Sequence, residues 1–589
     1  MKSPITFYNK QLKKHQLAAK TYKKKLIQLS ISRFFVFITT AFGVYFSFQQ
    51  IQVAAVIGVI GLAVFLFLLK KYSKIKSEKE LSEALITINE EELKIGSGDY
   101  FEKEQGLEFQ DPKHFYSLDI DLFGRGSFYQ FINRTTIKEG SKRLADELTA
   151  NDTKDVVLRQ EVLKELASIP EWRQNYAAIA SLAHIETPAS AIINWLKKYN
   201  PFLPKIMKWL PLVFAIVSTI LLGLTFTSIL SPFPAIIWMF IGLGITGKYL
   251  KKISDLSSNS DKIKDTFRQY SLLLDKIENE VYSSEILKEK QQKITSEGKK
   301  ASVIFNEFSK LLDALDSRNN IFFAIVGNGF LLWDCKQSYK IERWIQEYNH
   351  KVEDWFEVIS FFDAYNSLGN FVFNHPTYIF PEITVNKTTI NTKDLGHPLL
   401  NVEKRIDNDL TINHEQFFIV TGANMAGKST FLRTVSLHIV MANVGLPVCA
   451  KKSIYSPVKL ITSMRTSDSL TDDSSYFFSE LTRLKFIVDA IQKEPYFIIL
   501  DEILKGTNST DKAIGSRKFV EKLVASSATG IIATHDLSLC EIEKELSDVK
   551  NYYFDAEILN DELHFDYTFK KGICKNMNAS FLLKKMEII

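Results

Sequence analysis

Ten consecutive residues carry the clearest chemistry in the chain: Thr421-Gly422-Ala423-Asn424-Met425-Ala426-Gly427-Lys428-Ser429-Thr430. Two glycines separated by four residues let a backbone wrap a phosphate. The amides of such a loop, and the helix start that follows it, face negative charge. Lys428 is then placed to reach the β- and γ-phosphates of a nucleotide, and the Ser429 hydroxyl to bind Mg²⁺. Two acids follow further on. Asp501-Glu502 ends the apolar run Tyr496-Phe497-Ile498-Ile499-Leu500. The first acid can hold Mg²⁺ through water, and the second can orient or deprotonate an attacking water. His535 closes another apolar run, residues 530–534, where an imidazole can sense the γ-phosphate. Ser474-Ser475 precede a helical pattern that starts at Tyr476, and their hydroxyls suit either an anion or a plain helix cap.

These residues need strand ends and helix starts to hold them. Phe417-Phe418-Ile419-Val420 reads as a buried strand leading into the glycine loop, and a helical pattern begins at Phe431. The three apolar runs alternate with helical patterns, which is the signature of an α/β domain. A Gly/Pro/Asn-rich passage at residues 374–398 marks its beginning. Residues 78–200 and 253–370 read as helical.

Two stretches lack any charge: residues 34–69 and 209–247, of 36 and 39 residues. A spanning helix needs about 20 apolar residues. Each stretch therefore predicts two transmembrane helices joined by a tight turn, at Gln49–Gln52 and around Pro232 and Pro234. No acid occurs before Glu78, lysines flank both stretches, and neither turn is charged. The distribution predicts both termini and the soluble parts on the cytoplasmic side of the inner membrane, in a multi-pass arrangement with the bilayer as a partner. The 589 residues carry a formal net charge of +5, too small for a surface built wholly for nucleic acid. Cys335, Cys449, Cys540 and Cys574 lie far apart, which argues against a disulfide framework or a cysteine zinc site and fits a reducing compartment.

The order of these motifs resembles the DNA mismatch repair MutS family, within the ABC-type ATPases. Thr421 to Thr430 is similar to that family's TGPNMGGKST, with Ala423 and Ala426 in place of Pro and Gly. Asp501-Glu502-Ile503-Leu504-Lys505-Gly506-Thr507-Asn508-Ser509 resembles DEIGRGTST, and Ala533-Thr534-His535 matches ATH. Ser475, Phe477 and Glu480 align with the family's signature segment. Gly396-His397-Pro398 and Leu563-His564-Phe565 to Gly572 also sit where the family has similar segments.

The resemblance implies an α/β C-terminal P-loop (ABC-type) ATPase domain and a mainly helical core and lever region, to which the two uncharged stretches add four transmembrane helices in two hairpins. The expected division is a basic tail (1–30), a first hairpin (31–70), a helical core and lever region (71–207), a second hairpin (208–250), a further lever and core region (251–375) and the ATPase domain (376–589). It also implies a homodimer with composite sites for ATP and Mg²⁺. Residues 422–430 would grip nucleotide, Ser429 and Asp501 the metal, Glu502 and His535 the chemistry, and the partner's Ser475 the γ-phosphate. DNA is the partner the family implies. An ABC-type transporter and an ATP switch unconnected with DNA are the alternatives. Two features depart from the family. The place of a mismatch-reading domain is taken by a basic tail and a hairpin, and Asp472-Asp473 stand before the signature serines, where added negative charge disfavours ATP.

Overall fold

The computed structural model describes residues 3–182, 187–295, 298–465, 476–559 and 562–575. The chain opens with two long helices, Pro4–Phe46 and Ile51–Gly96. The basic tail and the first apolar leg are one uninterrupted helix, because proline occurs only at its first turn, where a missing N–H costs nothing. A short turn at residues 47–50 reverses the chain, closed by the Gln50 amide donating to the Ser47 carbonyl at 2.9 Å. The two legs pack along their length. At their apolar ends small residues allow close approach: a Cβ added to Gly61 would lie 2.1 Å from Thr40 Oγ1, and one added to Gly43 would lie 3.0 Å from Ile57.

At the other end the hairpin joins a helical core. The central member of that core is Val352–Asn374, buried along most of its length. Lys138–Thr149, Val156–Ser168 and Pro170–Ser181 pack around it. Its Asp363 carboxylate accepts from the Thr136 and Ile137 amides at 3.0 and 3.1 Å, which satisfies donors at the start of Lys138–Thr149. Burial pushes the Asp363 carboxyl up to about 6, against the pull of these hydrogen bonds.

The second uncharged stretch forms Leu210–Phe226 and the start of Phe233–Glu278. Among the described residues three helices are long and apolar enough to cross a membrane by length and composition: Pro4–Phe46, Ile51–Gly96 and Phe233–Ser260. Leu210–Phe226 is apolar but has 17 residues, one turn shorter than the other expected legs would need. A further apolar helix, Ile321–Leu331, lies against Leu210–Phe226 and Phe233–Glu278. Sequence patterning assigns it to the soluble helical region.

The C-terminal part is α/β. A six-stranded sheet runs in the order Lys570–Lys571, Val549–Phe554, Phe417–Gly422, Thr529–Ala533, Tyr496–Asp501, Lys459–Ser463. All neighbours are parallel except the short edge strand Lys570–Lys571. A four-stranded sheet made from Glu382–Ile383, Lys452–Tyr455, Thr388–Leu395 and Asn408–Asn413 stands beside it. The central strands of the large sheet are almost wholly apolar, as strands covered on both faces must be.

Candidate nucleotide site

Register brings the candidate residues together. Val420 and Asp501 both pair with Ala533, so three parallel strands end at one level. The glycine loop leaves the central strand there and enters the helix Lys428–Val444. Gly422 and Gly427 both take positive φ, +150° and +103°. A Cβ on Gly422 would come within 2.7 Å of the Phe554 carbonyl, so this turn admits no side chain. Met425 also adopts positive φ and points outward, with 76% of its surface exposed.

Lys428 folds back into the loop. Its ammonium donates to the carbonyls of Gly422 (2.8 Å) and Ala423 (3.0 Å) and lies 3.2 Å from His535 Nε2. Burial lowers its pKa, while Asp501 and Glu502 pull the other way. A buried ammonium satisfied by loop carbonyls at a helix N-terminus is a ready receptor for phosphate oxygen. Ser429 Oγ donates to Asp501 Oδ2 at 2.6 Å. These two hard oxygen donors fit Mg²⁺, which takes one or two protein ligands and completes its shell with phosphate and water. Among the described residues no group of three or more His, Cys, Asp or Glu gathers into a metal site.

Glu502 follows directly and takes a positive φ of 50°, a conformation that costs a residue with a side chain about 1–2 kcal/mol. The Glu502 amide donates to the Ala533 carbonyl at 2.9 Å and holds this turn. The result is a carboxylate aimed sideways, with Oε1 3.2 Å from His535 Nε2. Burial and the Lys428 charge lower the His535 pKa, against Glu502 and Asp501. One neutral imidazole nitrogen cannot accept from Lys428 and donate to Glu502 at once. His535 therefore has two competing partners at the same atom.

The cavity around these groups measures about 820 Å³. Residues 423–430, Asp501, Glu502 and His535 form one wall. The rest of the lining, which spacing does not mark, includes Leu395, His397, Leu400, Ile406 and Tyr567, the last packed against Gly427. The signal for His397 was its place in Gly396-His397-Pro398, just after the composition shift. Burial, with Arg433 and Arg405 nearby, pushes its imidazole down to about 4, so it presents a neutral ring. Tyr567 lies within the segment from Leu563 to Gly572 that the same resemblance marks, though no residue type or spacing singles it out. Glu480 is brought near as well: its carboxylate accepts from the Lys505 amide at 3.0 Å and ties the helix Tyr476–Ile491 to the loop after Glu502. Ser475, Asp472 and Asp473 lie outside the described residues.

A strand, a glycine loop, a helix and two further strand ends thus converge in one arrangement over residues 417–535. Residues 418–585 match the family model for MutS domain V. The C-terminal part of the chain is thus similar to domain V of the MutS family. It is 32% identical over 223 residues to MutS protein homolog 4 of Homo sapiens, covering 36% of this chain and 23% of that protein. It is 32% identical over 220 residues to the DNA mismatch repair protein MutS of Lachnoclostridium phytofermentans, covering 35% and 23%. The corresponding protein of Persephonella marina is 34% identical over 191 residues, covering 31% and 22%. The chain thus spans about a quarter of the length of the curated relatives it matches. The apolar hairpins lie outside the matched MutS domain.

Proposed function

We propose that this chain is a membrane-anchored MutS-like ATPase, which binds and hydrolyses ATP to move the helical region attached to its ATPase domain. The observation that carries the reading is the meeting of Lys428, Ser429, Asp501, Glu502 and His535 in one cavity, each within hydrogen-bond or ion-pair distance of another.

Residues 422–430 bind the phosphates, with Lys428 on the β- and γ-phosphates. Ser429 and Asp501 would hold Mg²⁺, which would supply charge neutralisation for the transferring phosphoryl group. Glu502 orients the attacking water and accepts its proton as the oxygen bonds to the γ-phosphorus. The bond to the β,γ-bridging oxygen breaks, and that oxygen leaves with ADP. His535 positions Glu502 in one hydrogen-bond state and Lys428 in the other, so its switch of partner reports whether a γ-phosphate is present. Ser475 of a second copy completes the site across a dimer, which makes closure depend on ATP.

Duplex DNA is the proposed substrate of the moving part, on the strength of the relatives' names alone. The hairpins anchor the chain in the inner membrane with both termini in the cytoplasm. Support for the anchor comes from apolar helices whose most hydrophobic windows are not covered by the rest of the chain. An uncovered apolar surface of this extent is rare on a protein in water.

The test is Mg²⁺-dependent ATP hydrolysis by the purified full chain in detergent. Glu502→Gln is expected to retain nucleotide and lose turnover, and Lys428→Ala to lose binding. Unchanged hydrolysis by Lys428→Ala overturns the site. Binding to matched and mismatched duplexes across a salt series tests the substrate: no binding at low salt leaves an ATP switch without DNA, and equal affinity removes mismatch reading. A reporter inserted after Gln50 is expected outside the cytoplasm, and a cytoplasmic signal there sinks the anchoring arrangement.

A further inference from the structure

Arg318 and Asp334 enclose fifteen residues without a charge. Within them the helix Ile321–Leu331 is eleven residues long, roughly 16 Å. That is about half the 30 Å of bilayer hydrocarbon, so the helix cannot span it. Exposure changes along its length. Ile321 and Phe322, in the first turn, are each 77% exposed, and Ile325 is 44% exposed. Gly327, Asn328 and Gly329, further on, are buried.

The buried side rests on the second apolar hairpin. A Cβ on Gly242 would lie 2.5 Å from the Gly329 carbonyl, and one on Gly329 would lie 2.4 Å from Met239, so backbone meets backbone. Ser218 Oγ donates to the Phe330 carbonyl at 2.6 Å and accepts from Trp238 Nε1 at 2.9 Å. The ends are also satisfied from within the protein. Asn320 Oδ1 accepts from the Phe323 amide at 3.1 Å, and Asn328 Oδ1 from the Asp334 amide at 2.8 Å. Such internal satisfaction is what hydrocarbon demands of a backbone that enters it. Finally, Arg318 Nε lies 3.2 Å from Asp334 Oδ2. The ion pair joins the two ends of the uncharged run, so the run leaves and returns on one side.

We propose that residues 319–333 form a re-entrant membrane loop, with the helix Ile321–Leu331 dipping into one leaflet beside the second hairpin. Its exposed first turns meet lipid chains. Lipid is the occupant the geometry favours because the hairpin on which the helix packs is itself apolar and exposed, at Ile216 and Phe240 among others. A water-soluble partner would have to cover both. The inference rests on the anchoring reading, and the test separates the two.

The experiment uses the full chain in vesicles of phosphatidylcholine and phosphatidylglycerol. Single cysteines are placed by Phe322→Cys, Val326→Cys, Phe42→Cys in the first hairpin and Lys310→Cys on a soluble helix, each carrying an environment-sensitive fluorophore. The native cysteines are all buried and give little background. Brominated lipid is expected to quench positions 322, 326 and 42 and not 310. Position 322 should respond more to bromines near the headgroup than to those at the chain end. Quenching at 42 without quenching at 322 and 326 overturns the re-entrant loop and leaves the anchor. No quenching at 42 removes the anchor. A label at 322 shielded from both brominated lipid and aqueous iodide would mean a second copy covers this face, which also overturns the proposal.

Discussion

His438 shows how far burial alone can set a charge state in this protein. It lies in the helix that follows the phosphate loop, fully enclosed, with Nε2 3.4 Å from Ser453 Oγ and Nδ1 without a hydrogen-bond partner. Burial pushes its imidazole down to about 3. The folded protein therefore holds it neutral, whereas an unfolded chain takes up a proton below a pH of about 6.5. Under that pH the unfolded state binds more protons, so stability present at neutral pH is lost as the pH falls. Removing the group by His438→Leu should flatten the acid slope by up to about 1.4 kcal/mol per pH unit between roughly 6 and 4.5. Thermal unfolding of wild type and variant across that range checks this, and an unchanged slope would place the acid sensitivity in His397, His375 or His114, which burial also lowers. The meeting of the glycine loop with Asp501, Glu502 and His535 was legible from the amino-acid sequence because phosphate binding would fix both residue type and spacing. The rest of the cavity lining was less so. Tyr567 approaches the glycine loop from some 140 positions along the chain, and no local pattern records that contact.

Gly445 ends the helix Lys428–Val444 with a φ of +89° and returns its amide to the Ala442 carbonyl. It also meets the helical core: an added Cβ would fall 2.7 Å from Arg159 Cβ. Arg159 donates to the Asn443 carbonyl at 2.7 Å, a cation at a helix C-terminus. This contact links the end of the phosphate-loop helix to Val156–Ser168 in the core. Gly445→Ala should cost at least about 1–2 kcal/mol from the backbone alone. It should also weaken the influence of nucleotide on the core, read as a smaller ATP-dependent change in protease resistance of residues 138–181. Equal stability and an unaltered nucleotide response would refute this linkage. Short apolar runs between turn residues made the strands of the C-terminal α/β part readable. The continuity of the first helix was harder to see, because a lysine-rich tail and an apolar leg differ in composition while sharing one backbone geometry. Ile321–Leu331 was hidden for another reason: fifteen uncharged residues fall below the length that marks a span, and only packing on the hairpin gives them a context.

The hairpin is fastened to the rest of the protein by a buried polar cluster. Glu92 accepts from Arg134 Nε at 2.6 Å, from Asn370 at 2.9 Å and from Asn374 at 2.8 Å, and the Tyr8 hydroxyl donates to Asn374 at 2.6 Å. Residues from both long helices thus converge on the end of Val352–Asn374, the helix that leads into the C-terminal α/β part. Removing one charge of a buried pair is costly: Arg134→Met should destabilise by about 3–5 kcal/mol, and adding Glu92→Gln should recover much of that loss. A double variant as unstable as the sum of two single changes would show that the two residues act independently. Beyond this anchorage each helix of the hairpin extends for roughly 60 Å, yet only its far end is apolar. The hairpin is therefore a long arm set on a small polar joint. A tilt of about 10° at that joint would carry the far tip through about 10 Å over that length. On the proposed anchoring, with the tip held in viscous lipid, the body would take up that sweep, so a modest turn in the helix Val352–Asn374 would become a wide swing of the rest of the chain relative to the membrane plane.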